Sequence, residues 1–297
     1  MIDPALSFEP HRRRLLGLAY RMLGSIAEAE DAVQDAYLRW HDADRDHVTD
    51  PRAFLTTATT RICLDVLRSA RARREKYVGP WLPEPVVDTK ALAPDAQTEL
   101  AEDLSIALLL ALDRLSPLER AAFLLHDVFD CSFTQVASAL DRSEAACRQL
   151  ASRARTHVRE ARPRDAAVAR DRADEPTTRH EELVSAFVDA ARSGDLDALM
   201  SMLAEDARLV ADGGGKVQAA LNVIQGANRI ARFIVGVGPK GLSGTTLRFR
   251  PVNDLPGLIA HSPDGYVQTV AFEIEDNRIR TIYSVRNPEK LKHLTPA

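Results

Sequence analysis

The stretch LSPLERAAFLLHDVFDCSFTQVASALDRSEAACRQLASRARTHVRE, residues 115–160, contains the pattern that decides the fold of the middle of the chain. Ser116 and Ser132 are each followed three residues later by Glu or Gln, which predicts that helices begin there. The second half of the stretch has a short helix, a tight turn at Asp141 and Arg142, and a longer helix. This is the form of a helix-turn-helix, whose second helix fits the major groove of DNA.

The longer helix of this motif has a predicted buried side and a basic outer side. The buried side repeats every four residues, at Ala146, Leu150, Ala154 and Val158. The outer side carries arginines, of which Arg148 is placed to contact base edges, while Arg155 and Arg159 are placed to neutralise phosphates. A solvated charged face is the alternative. We expect DNA contacts from Ser143, Arg148, Gln149, Ser152 and Arg155.

A second basic cluster ends a helix that is predicted to begin at Asp50 and Pro51, an N-cap followed by proline in the first turn. Its predicted core side is Phe54, Leu55, Ala58, Ile62 and Val66. Arginines at the end of a helix also stabilise its dipole without binding anything, and that alternative stays open. Two separated basic helices nevertheless favour DNA, with contacts expected from Thr57, Arg61, Arg68 and Arg71.

The helix predicted from Ile26 to about His41, with a capping box at Ser25 and Glu28, has an acidic outer face. Its predicted buried stripe is Ile26, Ala29, Val33, Ala36, Tyr37 and Trp40. Acidic groups repel DNA, so the outer face is more typical of a protein-binding surface, although an acidic solvated face is common. The exposed candidates for protein binding are Asp31, Gln34, Asp35, Leu38 and Asp42.

Two polar stretches divide the chain, one with four prolines at about residues 78–97 and one rich in Arg, Asp and Pro at about 161–178. After the second stretch the pattern predicts helices at 180–192 and 196–203. Strand-length pieces follow at 245–252, 257–262, 266–275 and 278–285, which indicates an α+β domain with an antiparallel sheet. The predicted domains and linkers are 1–79, 80–99, 100–162, 163–178 and 179–297.

The helical segments resemble the two conserved regions of extracytoplasmic-function sigma factors. The similar segments are GSIAEAEDAVQDAYLRW, DPRAFLTTATTRICLDVLRSARARRE and the stretch at 115–160. The resemblance implies that residues 31–40 dock on RNA polymerase, that the helix with Arg61 faces the melted −10 promoter element, and that residues 143–159 contact the −35 element. Melted DNA needs a pocket for unstacked bases, for which Thr56, Thr57 and Arg61 are candidates.

The segment HEELVSAFVDAARSGDLDALMSMLAEDARLVADGGGK resembles the start of a SnoaL-like cone, in which helices cover a curved sheet. WLPEP, DGGGK and NPEKL are similar to the marks of a sigma factor subgroup in which this domain is fused and is thought to regulate the sigma core. The glycine-rich turn is expected to present Asp212 and Lys216 to the proline-rich linker. The interdomain candidates are Trp81, Leu82, Pro83, Asp212, Gly213, Gly214 and Lys216.

We predict no catalytic residue. SnoaL-like cones also house cyclases and isomerases, but Asp206 is placed as a cap or turn and His261 as an exposed strand end. The DGGGK turn lacks the spacing of a phosphate-binding loop. A small apolar ligand, sensed in the pocket of the cone, is a hypothesis that the resemblance leaves open.

Composition sets the remaining expectations. A formal net charge of −4 argues against a uniformly basic nucleic-acid binder, so local clusters must make any DNA contact. Cys63, Cys131 and Cys147 lack the spacing of a disulfide framework or a zinc site. No apolar run reaches the roughly 18–20 residues that cross a bilayer. We expect a cytoplasmic protein without metal, cofactor or membrane contact.

These patterns favour a three-domain protein with two all-α sigma domains and a C-terminal α+β SnoaL-like domain. The favoured function is promoter-specific transcription initiation with core RNA polymerase and promoter DNA as partners. One alternative is a one-component regulator whose helix-turn-helix binds operator DNA while the last domain senses a ligand. A SnoaL-like enzyme with a DNA-binding appendage is the other.

Overall fold

The computed structural model describes residues 4–74, 77–87, 89, 92, 103–161 and 177–294. The chain divides into two compact units, residues 1–76 with 88–163, and residues 77–87 with 164–297. Both predicted sigma regions therefore lie in the first unit. Part of the predicted proline-rich linker belongs to the second unit. No described helix is long and apolar enough to cross a membrane.

The first unit is all helical in its described part. A single π-helical turn, Leu124–Val128, precedes the helix-turn-helix. The α-helices are α1 Pro4–Leu23, α2 Ile26–Asp42, α3 Pro51–Arg74, α4 Ile106–Asp113, α5 Pro117–Phe123, α6 Phe133–Leu140 and α7 Glu144–Ala161.

The predicted capping residues begin these helices. Ser116 and Ser132 each form a complete capping box, in which the serine side chain and the side chain three residues later both accept backbone N–H groups. At α2 the Ser25 hydroxyl accepts from the Glu28 amide at 3.2 Å. At α3 the Asp50 carboxylate accepts from the Ala53 amide at 3.0 Å. Each cap contributes about 1 kcal/mol, so the helix starts are locally encoded.

Helix α3 is buried on more sides than its sequence pattern predicts. Leu55, Ala58 and Ile62 are buried as expected, whereas Phe54 and Val66 are only partly buried. The helix packs against α1 and α2 on one side and against α5 and α6 on the other. A single apolar stripe does not describe a helix between two layers, and α3 buries a further set, Thr56, Thr59, Thr60, Cys63, Leu64 and Leu67.

The other two predicted stripes also shift. In α2 two residues of the predicted stripe, Ile26 and Tyr37, are only partly buried, while Ala32, which was not in the stripe, is buried. In α7 the buried stripe begins at Cys147 instead of Ala146 and continues through Leu150, Ala151, Ala154 and Val158. The mixed three- and four-residue spacing follows the period of 3.6 residues per turn, which a strict four-residue repeat does not.

The second unit is α+β. Its helices α8 Thr177–Ser193 and α9 Leu196–Met202 come first and α10 Ala227–Gly241 comes later. The six-stranded sheet has the order β2-β1-β6-β5-β4-β3. Strand β1 runs parallel to β6, and the other neighbours are antiparallel. The strands are β1 Leu203–Asp212, β2 Ile224–Gln225, β3 Thr246–Phe249, β4 Gly257–His261, β5 Val267–Glu275 and β6 Arg278–Val285.

The three helices cover one face of this sheet. Phe187 of α8 meets Phe272 of β5 edge-on, with ring centroids 5.5 Å apart. Leu209 and Ala211 of β1 belong to the same apolar core. Because side chains alternate along a strand, Asp212 emerges on the opposite side from Ala211. The end of β1 therefore directs a carboxylate away from the apolar core.

Candidate functional site

The helix-turn-helix has the geometry that the sequence predicts. Its turn is made possible by Asp141, which has a left-handed backbone with φ 53°. The Ser143 hydroxyl accepts from the Ala146 amide at 3.2 Å and so begins α7. The predicted contact residues Ser143, Arg148, Gln149 and Ser152 are all exposed near the start of this helix. They form a polar surface that is open to solvent within the unit.

Two of the arginines predicted to contact DNA, Arg148 and Arg155, have internal partners. Arg148 is paired with Glu144 at 2.7 Å and its guanidinium lies 5.3 Å from the centroid of the Phe133 ring. These contacts hold Arg148 against the first turn while it stays exposed. Arg155 is half-buried and its Nε lies 2.7 Å from Asp127. Arg155 therefore also joins α7 to the π-helical turn, which its sequence position did not predict.

The predicted −10 residues of α3 have different environments. Thr57 is partly buried and Arg68 is exposed, with an ion pair to Asp65 at 2.9 Å. Arg61 donates from Nη2 to the carbonyl of Ser138 at 2.8 Å and from Nε to that of Ala139 at 3.1 Å. The side chain of Arg71 lies outside the described residues.

Thr56 was expected to line a pocket for unstacked bases, and the structure contradicts this expectation. The Thr56 side chain is buried, and its carbonyl accepts the Thr60 hydroxyl at 2.7 Å. The cause is the packing of α3 between two layers of helices, which turns this residue inward. Of the proposed pocket residues, Thr57 and Arg61 are the ones with solvent access.

The acidic face of α2 is exposed. Asp31, Gln34, Asp35 and Leu38 all lie at the surface, and half of the Leu38 side chain is accessible. A cleft of about 230 Å³ runs beside this face, between α1 and α2. It is lined by Ala5, Phe8, Glu9, Arg12, Leu16, Glu30, Val33, Gln34 and Tyr37. An exposed leucine among carboxylates next to a cleft can contact a protein surface of mixed apolar and basic character.

In the second unit, residues 77–87, here called the strap, are bound around one buried carboxylate. Asp212 has no exposed surface. It accepts from the Tyr77 hydroxyl at 2.6 Å, the Leu82 amide at 2.9 Å, the Gly214 amide at 3.0 Å and Lys290 Nζ at 2.7 Å. Burial and the hydrogen bond to Asp212 raise the pKa of Tyr77 above its ordinary value. Two strap residues and one lysine thus compensate a buried charge.

Lys290 completes this anchor. Its ammonium donates to the Leu82 carbonyl and lies 4.5 Å from the centre of the Trp81 ring and 5.0 Å from that of Tyr77. Leu82 is fully buried and Pro83 is buried, while Trp81 is partly exposed. Sequence reasoning did not single out Lys290 or Tyr77, although Lys290 lies in the quoted NPEKL segment. The apolar and cationic contacts act with the hydrogen bonds to hold the strap on the rest of the second unit.

The far end of the strap is also bonded to the second unit. The Val86 amide donates to the Asn253 side chain at 3.1 Å, and the Asn253 amide donates to the Val86 carbonyl at 2.8 Å. His293 contacts the Glu84 carboxylate at 3.2 Å and the Pro85 carbonyl at 2.9 Å. Val86, Asn253 and His293 also escaped the sequence analysis, because their spacing carries no motif, whereas Glu84 and Pro85 lie in the quoted WLPEP segment. The strap is therefore fixed at both ends.

The DGGGK turn supports the anchor with its backbone. A Cβ on Gly214, which has φ 59°, would lie 2.2 Å from Nδ2 of Asn287, and one on Gly213 would lie 2.5 Å from the Val217 carbonyl. Glycine is therefore required where the turn approaches its neighbours. Lys216 was expected to face the linker, but its ammonium pairs with Glu289 at 3.2 Å on an exposed surface. Lys216 follows the glycine turn, where the chain is exposed to solvent.

The residues considered for catalysis are dispersed. Asp206 lies in β1, where it pairs with Arg280 at 2.9 Å, and is not in the predicted turn. His261 ends β4. On the helix-covered face of the sheet a polar contact joins Gln268 to Ser284 at 3.1 Å. Among the described residues, no group of three or more His, Cys, Asp or Glu side chains is placed to hold a metal.

Known proteins are similar to this chain over both of its units. The family models for sigma-70 region 2 and sigma-70 region 4 match residues 8–73 and 105–158. The chain is 41% identical to the ECF RNA polymerase sigma factor SigJ of Mycobacterium tuberculosis H37Rv, over 95% of this chain and 91% of that protein. It is 32% identical to the probable ECF sigma factor SigI of M. tuberculosis CDC 1551, over 98% and 96%.

The similarity extends to the three-dimensional structure. The crystal structure of M. tuberculosis SigJ matches with a TM-score of 0.71 and 36% identity, over 96% of this chain and 97% of that one. Both helical regions and the C-terminal α+β domain are therefore accounted for. The protein belongs to the extracytoplasmic-function sigma factors of the sigma-70 family and carries a C-terminal α+β domain, and its function is promoter-specific initiation of transcription.

Proposed function

We propose that the C-terminal domain modulates the sigma activity of this chain by holding the strap. The observation that carries this proposal is the buried Asp212 carboxylate, which accepts hydrogen bonds from the strap residues Tyr77 and Leu82. The strap belongs to the chain segment that joins sigma region 2 to sigma region 4. A domain that binds this segment limits how far the two regions can move apart.

The number of hydrogen bonds at Asp212 supports a regulatory role for the anchor, because a linker that only connects two regions does not need a buried charge. A buried charge is costly unless it is paired and hydrogen-bonded, and Asp212 has four donors. Two of these donors come from the strap and two from the C-terminal domain itself. Release of the strap would leave the carboxylate and Lys290 with fewer partners, so the docked strap is strongly favoured over a free one.

For promoter recognition we assign the start of α7 to the −35 element. Ser143, Arg148, Gln149 and Ser152 supply exposed donors and acceptors, and Glu144 with Phe133 restricts the motion of Arg148. A restricted guanidinium loses less conformational entropy on binding than a free one. Arg155 remains in the proposed set as a phosphate contact through the guanidinium nitrogens that do not face Asp127.

For the −10 element we assign Thr57, Arg61, Arg68 and Arg71 of α3. For core polymerase we assign Asp31, Gln34, Asp35 and Leu38 of α2, whose side chains are exposed in the structure. These two surfaces have opposite charge, so the basic one attracts DNA and the acidic one does not. Substitution of Asp35 by Arg with Leu38 by Ala should abolish polymerase binding while the helices stay folded.

Transcription in vitro from a cognate promoter tests the proposed modulation. Full-length protein, Asp212→Asn and Asp206→Asn are compared with the same core polymerase. Asp206 is the matched control because it lies in the same strand, and its carboxylate is largely exposed in an ion pair. We expect Asp212→Asn to change transcript yield severalfold and Asp206→Asn to leave it unchanged. Equal yields from all three proteins would overturn the modulation by the strap.

A further inference from the structure

The side chain of Arg148 is in contact with both helices of the helix-turn-helix. Its Nη2 donates at 2.7 Å to the carboxylate of Glu144, which lies one turn earlier in α7. Its guanidinium lies 5.3 Å from the centre of the ring of Phe133, the first residue of α6. An exposed ion pair within one helix contributes little by itself. The contact with the other helix therefore distinguishes this pair from an ordinary surface pair.

Glu144 is itself bonded to the first helix of the motif. Its Oε1 accepts from the Thr134 hydroxyl at 2.7 Å, while its Oε2 accepts from Arg148. Each oxygen of the carboxylate thus has a partner, one on α6 and one on α7. A carboxylate that is bonded on both sides has a defined position relative to both helices. Glu144 therefore fixes the end of the Arg148 side chain relative to the whole motif.

Phe133 has a second aromatic contact that holds its ring. The centre of the His126 imidazole lies 4.0 Å from the centre of the Phe133 ring, and the two planes make an angle of 30°. The His126 Nδ1 lies 2.9 Å from the Cys131 carbonyl oxygen, which can only accept, so this nitrogen donates. His126 belongs to the π-helical turn, and such turns are frequent at functional sites. The turn thus supplies the residue that supports Phe133.

A held guanidinium discriminates between bases better than a mobile one. Arginine reads guanine through two parallel hydrogen bonds, to O6 and N7, so the guanidinium must lie near the plane of the base. A mobile side chain can tilt and donate a single hydrogen bond to an acceptor of another base. Arg148 has several N–H donors, of which Glu144 takes one, and its side chain is 53% exposed. Donors therefore remain for a base while Glu144 and Phe133 set the plane.

We propose that three residues of the helix-turn-helix, Phe133, Thr134 and Glu144, are positioning residues for recognition of the −35 element. They act through Arg148 and set its base preference without contacting the bases themselves. This inference rests on the proposed assignment of α7 to the −35 element. Without these residues Arg148 still reaches the DNA, but it accepts other bases and phosphates. Binding then persists while discrimination falls.

Promoter binding by the holoenzyme tests this role. Core polymerase is reconstituted with the full-length chain, and Kd is measured for promoter fragments in which each base pair of the −35 element is replaced in turn. The pair at which Arg148→Ala loses its preference is the pair that Arg148 reads. Glu144→Ala, Thr134→Val and Phe133→Leu are compared at that pair, alone and combined with Arg148→Ala. The matched control is Glu160→Ala, which removes an exposed carboxylate from the last turn of the same helix.

The wild type and the control should prefer the cognate base pair by about tenfold, the discrimination typical of one bidentate contact. We expect Glu144→Ala and Phe133→Leu to reduce this preference to about threefold or less, and Thr134→Val to reduce it by a smaller factor. The exposed changes at Glu144 and Thr134 should leave Tm unchanged, so they decide the result if Phe133→Leu unfolds. Combined with Arg148→Ala, none of the three should alter the preference further, because they act through that residue.

Two results would overturn the positioning role. One is an unchanged preference in Glu144→Ala and Thr134→Val. The other is a loss of preference that is equally large with and without Arg148. In both cases the assignment of α7 stands if Arg148→Ala itself loses the preference. If Arg148→Ala binds every fragment as the wild type does, the assignment of Arg148 to the −35 element fails and the positioning role fails with it.

Discussion

Replacement of Asp212 by asparagine is the perturbation that tests the strap anchor most directly. Asparagine has nearly the same shape as aspartate, so the packing of β1 should survive. One of its two side-chain positions becomes an NH₂ group. If this group takes the place of Oδ2, it faces the Leu82 amide and the Lys290 ammonium, which are both donors. The substitution therefore opposes donors where the native residue has an acceptor.

The expected cost follows from these contacts. Two bonds of the strap are lost or weakened, the one from the Leu82 amide to Oδ2 and the one from the displaced Lys290 ammonium to the Leu82 carbonyl. Hydrogen bonds that involve a charged group contribute about 1.5–3 kcal/mol each, which gives roughly 3–6 kcal/mol. The Lys290 side chain is 14% exposed and can turn toward solvent, which recovers part of this cost. We expect a net loss of about 3 kcal/mol for strap docking, the lower end for a broken buried ion pair. That corresponds to roughly a 150-fold shift toward the released strap.

Amide hydrogen exchange measures this shift. The Leu82 amide is buried and bonds Asp212, so it exchanges only when the strap leaves the anchor. We expect its exchange rate to rise about 100-fold in Asp212→Asn. Asp206→Asn, which alters an exposed ion pair in the same strand, should change the rate less than twofold.

A rise of less than about threefold at Leu82 in a folded Asp212→Asn protein would refute the anchor. Exchange in the apolar core of the same unit, for instance at Phe272, serves as the internal reference. A uniform rise at Leu82 and Phe272 would mean that the whole domain has lost stability. Only a rise confined to the strap agrees with the proposed anchor.

Other substitutions test the fold and the polymerase surface. Burial opposes the shift, but hydrogen bonds from Ser116 and a nearby arginine lower the pKa of Glu119. Because the pKa of Glu119 is lower in the folded state, its carboxylate stabilises the fold at pH values above its pKa in the unfolded chain, about 4.3, and this stabilisation is lost as the pH falls further. Glu119→Gln should therefore lower the free energy of unfolding by about 1 kcal/mol at pH 7 and by progressively less below about pH 4.3. Thermal unfolding from pH 7 to 3 would show this. Gly238→Ala would place a methyl group 2.5 Å from the Ala191 carbonyl, and urea unfolding should show a loss of about 2 kcal/mol. Leu38→Asp should weaken core polymerase binding at least tenfold without a change in Tm, and a pull-down with a thermal melt would check both.

The helices of the sigma regions were largely predictable because their signals are local. Ser116 and Ser132 form the caps that their sequence neighbours predict. In α7 the predicted buried residues Leu150, Ala154 and Val158 are confirmed, and only Ala146 is wrong, because the buried stripe begins at Cys147. The burial of Thr56 could not be predicted, because it depends on a second layer of helices contributed by residues far along the chain.

The C-terminal domain was harder to predict. Strand β1 pairs in parallel with β6, some seventy residues later, and its first half alternates poorly between polar and apolar residues. The sequence therefore indicated the antiparallel strands β3 to β6 but neither β1 nor α10. The contact of Asp212 with the linker matches the expectation from the glycine-rich turn, whereas the cation it meets is Lys290 and not Lys216. Which of two nearby lysines reaches a carboxylate depends on tertiary geometry.

The order of synthesis gives the strap a further property. Leu82 and Lys290 bond across 208 residues of sequence, so the strap emerges from the ribosome long before its binding residues. At about 5–20 residues per second, translation leaves it without them for about 10 to 40 s. Sigma region 2 is already synthesised when the strap emerges, and sigma region 4 is synthesised in that interval, while the C-terminal domain is still incomplete. Every newly made chain thus passes through an unrestrained stage, and the restraint begins only after Lys290 has been translated.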